Sequence, residues 1–148
     1  MKRKKLGKIH IGTSGWHYSH WKGPFYPKDL PEKQFLSYYL QHFTTVELNR
    51  TFYSLPKKHV FEEYAQTVPS SFLFAVKASR YITHVKKLND PKKPLHRFFH
   101  SASSLNNHLG PILFQLPPHW NVNPDRLHAF LKTLPKGYRY TFELRDHH

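Results

Sequence analysis

Charged and amide side chains recur at one kind of place in this chain: Glu47 in TTVELN, Lys77 in FLFAVKA, Gln115 in PILFQLP, and Glu143 with Arg145 in YRYTFELR. Each follows an apolar run short enough to be a strand. Side chains alternate along a strand, so Glu47 and Asn49 share one face while Val46 and Leu48 take the other. By the same alternation Lys77, Gln115, Glu143 and Arg145 stand opposite Phe72, Phe74 and Val76, Ile112, Phe114 and Leu116, and Phe142 and Leu144. A carboxylate on such a face serves as a general acid, base or metal ligand, and a Lys or Arg holds an anion or a developing negative charge. Glu47, Glu143 and Lys77 are therefore the candidate catalytic groups. Ser14, Trp16, Asn49, Tyr53, Arg80, His84, Gln115 and Arg145 are the candidate substrate-binding groups. The structural alternative is that Glu47 with Lys77, or Glu143 with Arg145, is only an ion pair satisfying a buried charge.

Other motifs narrow the chemistry. The segment GWHYSHWKGPFYPKDL carries Trp16, Tyr18, Trp21, Phe25 and Tyr26, aromatics able to stack on a sugar or a base or to pack beneath their own loop. SRYITHVKKLNDPKKP is strongly basic, and for Lys86, Lys87, Lys92 and Lys93 a solvated loop is the simpler reading, with Arg80 and His84 closer to the chemistry. His96 and His100 have helical i, i+4 spacing without the glutamate of an HExxH motif, and no metal site is expected. GTSG is a weak glycine loop that matches neither the dinucleotide nor the P-loop fingerprint, and no Gly-x-Ser-x-Gly elbow occurs. The sequence specifies no cofactor.

The elements that must position these residues alternate. Strands are expected at 8–14, 44–49, 72–78, 111–117 and 138–145, with Ile9 and Ile11 as the apolar face of the first. Helices are expected from Pro31 to about Phe43 (Leu36, Leu40 and Phe43 buried), over 57–67 (Val60, Phe61, Tyr64 and Ala65), from about Pro94 to Leu109 with Gly110 closing it, and over 123–135. In the last, Asn123 is the N-cap, Pro124 the first helical residue, and Leu127, Phe130, Leu131 and Leu134 the buried stripe. Strict strand–helix alternation predicts a parallel α/β fold. One apolar and one polar strand face favours a barrel over an open sheet covered on both sides, and places the polar ends together at the C-terminal mouth.

With 148 residues the chain suits one globular domain at 8–148 after a basic tail at 1–7. Twenty-three Lys and Arg against nine Asp and Glu give a net charge of +14, which selects for anionic partners. The absence of cysteine excludes disulfides and thiolate metal sites and suits a cytoplasmic protein. No apolar run has the length of a membrane span, so no membrane partner is expected.

IGTSGWHYSHWKGPFYP, VELNRTFYSLP, FAVKASRYITH, LGPILFQLPP and FELR, in this order, resemble the YecE-like family, also called domain of unknown function 72. The resemblance implies a TIM-type (β/α) barrel and similarity to sugar isomerase-related proteins. It also implies that about five of eight strands are present, with about a hundred further residues in the family domain, and that FELRDHH departs from the family's FEFRHxSW. A barrel cut in this way has open edges that invite self-association. The functional expectation is an enzyme acting on a small anionic or sugar-like substrate by acid–base chemistry, isomerase- or hydrolase-like. The alternatives are a protein that binds or processes nucleic acid on its basic, aromatic face, and a non-functional truncated product.

Overall fold

The computed structural model describes residues 7–121 and 123–145, so most of the basic tail and the final DHH lie outside the described residues. Four strands form one sheet: β1 (Thr45–Leu48), β2 (Leu73–Lys77), β3 (Leu109–Gln115) and β4 (Tyr140–Glu143). They lie in sequence order and every pair is parallel. Helices α1 (Phe35–Tyr39), α2 (Arg50–Tyr53), α3 (Lys58–Thr67), α4 (Lys92–Ala102) and α5 (Pro124–Thr133) fill the connections. The parallel α/β class is thus as expected, but the sheet is not closed into a barrel.

The expected first strand is reduced to a strap. Glu47 donates its amide to the Thr13 carbonyl and Gly15 donates to the Glu47 carbonyl, both at 2.9 Å, leaving Ser14 as an isolated bridge beside β1. Nothing among the described residues covers Ile9 and Ile11, which are 84% and 73% exposed rather than buried. Gly12 lies hard against β1, where an added Cβ would overlap the Thr45 carbonyl.

One face of the sheet is the core. Val46, Leu48, Phe74, Val76, Ile112, Phe114 and Leu116 are all at most 5% exposed, while their neighbours on the opposite face remain half-buried. Phe114 joins three elements: its ring lies 5.1 Å from Phe130 of α5 and 5.3 Å from Phe142 of β4. The apolar alternation fades at the end of β4, where Phe142 is half-buried and Leu144 is 56% exposed.

The helices correct several expectations. The first is short, entered through a 3-10 turn at Glu32–Gln34, and fully buries Phe35 and Tyr39, while Leu40 and Phe43 pack against the core only half-buried. Phe35 stacks on Tyr26 at 4.0 Å, and the Tyr39 hydroxyl donates to the Thr45 carbonyl and accepts from the Thr13 amide, so these two side chains tie the aromatic loop and the strap to β1. In α3 only Phe61 is buried, and in α5 only Phe130, with Leu131 44% exposed. Tyr64, Leu127 and Leu134 pack against the core while only partly buried, and α4 buries Leu95, Phe98, Phe99 and Ala102.

Gly110 does not end a helix. The helix stops at Ala102, a 3-10 stretch follows to His108, and the left-handed residue is Asn106 (φ 49°). Gly110 instead lies inside β3, where the β2–β3 register shifts between Phe74 and Val76 and an added Cβ would sit 2.9 Å from the Phe74 carbonyl oxygen. Its role is close strand approach at an irregularity. The helix expected at 123–135 is found, with the Asn123 side chain accepting the Arg126 amide at 2.9 Å and Pro124 in the first turn.

Candidate functional site

The register places the candidate residues on one face in a rising diagonal. Glu47 pairs with Ala75, and Lys77 stands one side-chain row beyond Ala75; Lys77 pairs with Leu113, and Gln115 stands one row beyond that, opposite Glu143. Such a stagger is what tilted parallel strands produce. Glu47 and Glu143 are three strands apart, on the order of 15 Å along the sheet. Each carboxylate consequently has its own neighbours.

Glu47 faces a cleft of about 500 Å³, lined among others by Trp16, Tyr18, Asn49, Tyr53 and Tyr64. Ser14 on the strap donates its hydroxyl to Glu47 Oε1 at 2.8 Å and so orients the carboxylate. Tyr18 donates to the Ser14 carbonyl, which holds the strap in place. Trp16 meets Tyr64 edge to face at 5.5 Å, and burial pushes the Tyr64 phenol above its ordinary value. Asn49 Oδ1 is buried without a hydrogen-bond partner among the described residues. The aromatic loop therefore divides: Trp16 and Tyr18 wall the cleft, whereas Tyr26 is fully buried and Trp21 and Phe25 pack around it.

The centre of the diagonal is cationic. Lys77 is half-buried, has no carboxylate within ion-pair distance among the described residues, and holds its Nζ 4.6 Å from the centre of the Phe52 ring. Thr51 fixes this geometry by donating its hydroxyl to the carbonyls of Leu48 and Lys77, locking α2 onto the ends of β1 and β2. Phe52 also meets His84 edge-on at 5.0 Å. His84 belongs to a single π-helical turn, Tyr81–Val85, directly after β2, and its Nδ1 shares a hydrogen bond with the Thr83 hydroxyl. Burial, and then the charges of Arg80, Lys77 and Arg145, hold His84 below its ordinary value of 6.5.

At the far side Gln115 donates its amide N–H groups to both oxygens of Glu143, at 3.0 and 2.9 Å. Arg145 Nε lies 3.6 Å from Glu143 Oε1, with both side chains 43% exposed, so this pair is weak and leaves Arg145 available to a ligand. Among the sequence candidates, Ser14, Trp16, Glu47, Asn49 and Tyr53 therefore gather in one cleft. Arg80, Lys77 and Arg145 act on His84 through charge, and Gln115, Glu143 and Arg145 form a third group. Tyr18 was among the loop aromatics expected to stack on a ligand or pack beneath their loop, whereas Phe52 and Tyr64 were not singled out as site residues by sequence. Phe52 had a signal, standing between Asn49 and Tyr53 just beyond a strand end. No group of three or more His, Asp or Glu residues capable of holding a metal ion occurs among the described residues.

The His84 environment has a pH consequence. Its folded pKa is depressed, so as pH falls the unfolded chain takes up the proton first. The contribution is present above the ordinary value of 6.5 and is lost as pH falls through the folded value. Urea midpoints measured at pH 7.5 and 5.5 should fall less for His84→Gln than for the wild type; identical falls would show that His84 is not held neutral.

A parallel sheet whose connections alternate with helices, and whose polar side chains collect toward the carboxyl ends of its strands, defines an α/β protein. Residues 10–148 match the family described as Protein of unknown function DUF72, and the chain belongs to it. A DUF72 family protein from Thermotoga maritima superposes with a TM-score of 0.75 at 32% identity, over 90% of this chain and 55% of that one. A DUF72 family protein from Enterococcus faecalis shares the fold with a TM-score of 0.62 at 21% identity, over 81% of this chain and 43% of its own. UPF0759 protein YunF of Bacillus subtilis is 29% identical over 137 residues, covering 84% of this chain and 45% of that protein. The chain thus spans about half the length of the relatives it matches. No helix among the described residues is long and apolar enough to cross a membrane.

Proposed function

We propose that this face binds a small anionic, sugar-like molecule and that the open sheet is an arc of a TIM-type (β/α) barrel whose mouth it lines. Lys77 carries this reading. A half-buried ammonium without a carboxylate partner among the described residues, beside a histidine whose pKa is lowered by burial and then by its cationic neighbours, is an arrangement that an anion completes. Lys77, Arg80, His84 and Arg145 hold the anionic group. The Trp16 and Tyr53 side of the cleft takes the carbon skeleton, as aromatic walls do for sugar rings. Glu47, oriented by Ser14, is the acid–base group, and the buried Asn49 carbonyl oxygen is a ready acceptor for a substrate hydroxyl. An isomerase- or hydrolase-like proton transfer fits these groups.

A thermal-shift series of aldose and ketose phosphates against their neutral parent sugars tests the reading. At about ten times Kd a bound phosphate should raise Tm by roughly 3–6 °C. Shifts of equal size with the neutral sugars, or none with any phosphate, would sink it.

A further inference from the structure

A second basic surface has a lining distinct from that of the Glu47 cleft. A groove of about 790 Å³ is lined by Tyr81, Lys86, Lys92, Lys93 and Arg97, with Asp90 its one acidic residue among the described residues, and shares no lining residue with the Glu47 cleft. Asp90 is 3.5 Å from Lys86 Nζ in an exposed pair, which leaves Lys92, Lys93 and Arg97 without a carboxylate partner among the described residues. Lys93 and Arg97 stand one helical turn apart on α4, about 5–6 Å between Cβ atoms. Tyr81 is 48% exposed at the groove and Val85, four residues on in the same π-helical turn, is 58% exposed.

The frame beneath these side chains is fixed rather than loose. Lys87, Leu88 and Asp90 have φ of 47°, 68° and 44°, a left-handed conformation that non-glycine residues seldom adopt. Leu88 is 2% exposed, so its buried side chain anchors the turn, and its amide donates to the Ile82 carbonyl at 3.0 Å. The Lys86 amide returns to the Tyr81 carbonyl at 2.8 Å and the Asn89 amide to the Lys86 carbonyl at 2.9 Å. A strained backbone held by burial is a preorganised display of charge, and it lowers the ordering cost of binding.

We infer that this groove is a docking surface for single-stranded nucleic acid. A row of cations that follows a phosphodiester backbone, beside an exposed aromatic ring on which a base can stack, is the combination that recognises single strands irrespective of sequence. The chain's net charge of +14 brings the polyanion to the surface, and the groove localises it.

The test is fluorescence anisotropy of a labelled 12-nucleotide oligothymidylate with the whole 148-residue chain. With about four phosphates neutralised, the slope of log affinity on log salt should be about −3, a loss of about 50-fold between 50 and 200 mM NaCl. Replacing Lys92, Lys93 and Arg97 together by Gln should reduce the slope to about −1. The same replacement at Lys28, Lys33 and Lys57, exposed positions off the groove, removes equal charge and should leave affinity within about twofold. Tyr81→Ala should weaken binding at least about fivefold with the salt slope unchanged. Equal losses from the two triple variants, an unchanged Tyr81→Ala affinity, or groove-dependent binding to phosphatidylserine vesicles without oligonucleotide binding would each overturn the proposal. Circular-dichroism melts establish that every variant is folded.

Discussion

Lys77→Met is expected to lower affinity for a responsive sugar phosphate by about 10- to 100-fold, since a hydrogen bond to a charged group contributes about 1.5–3 kcal/mol. The substitution leaves a side chain one atom shorter and exchanges the ammonium over the Phe52 ring for a thioether, which also packs favourably against an aromatic ring. It also removes a half-buried cation that has no counter-ion among the described residues, so Tm should hold or rise while binding is lost. The opposed signs separate a binding lysine from a structural one. Calorimetric titration reads the affinity and a thermal melt the stability. An unchanged affinity would move the anion elsewhere, and a fall in Tm would mean that Lys77 supports the fold. Its removal also takes one neighbouring charge from His84, whose pKa should rise toward the ordinary value in an NMR titration.

The second large effect is on the core. Phe114→Ala should destabilise the chain by about 3–5 kcal/mol, the usual loss for deleting a buried phenyl ring. Phe114 is fully buried and its ring contacts α5 through Phe130 and β4 through Phe142, so the cavity would open where three elements meet. Against a total stability of about 5–15 kcal/mol this is a large fraction, readable as a lower urea midpoint at unchanged slope. Should the alanine variant not fold, Phe114→Leu gives the smaller measurable loss. A change below about 1 kcal/mol for alanine would place the core elsewhere.

Much of this architecture was legible in the letters because the signals were local. Asn123 followed by Pro124 named a helix start, and the alternation through FLFAV and PILFQL named two strands and the face each would bury. What the sequence could not display was tertiary choice. KIHIGTS has the alternation of a strand, yet among the described residues its only backbone pairing with β1 is through Thr13, with Gly15 just beyond it, because a strand forms where another strand receives it. Gly110 reads equally as a helix terminator or as a strand residue without room for a Cβ, and the approach of Phe74 decides between them. The π-helical turn at Tyr81–Val85 follows no periodicity that a hydrophobic pattern would expose. Within the site, residue types predicted the polar face, but the grouping into cleft, cationic centre and Glu143 pair depends on register, and register is a property of pairs of strands.

The strap that bears Ser14 also sets a hierarchy of opening. Among the described residues it is held by two backbone hydrogen bonds to β1, the Ser14–Glu47 hydrogen bond and the Tyr39 and Tyr18 hydroxyls, whereas β2 is paired along both sides. Segments tied by so few bonds open at a fraction of the global unfolding free energy. The amide of Gly15 should therefore exchange with deuterium well before those of Phe74 and Val76. Each opening carries Ser14 away from Glu47, so the carboxylate alternates between an oriented and an unoriented state on the same clock as the exchange of that amide. A molecule seated in the cleft holds the strap shut, and slowed exchange at this one edge becomes a record of occupancy that needs no knowledge of the reaction.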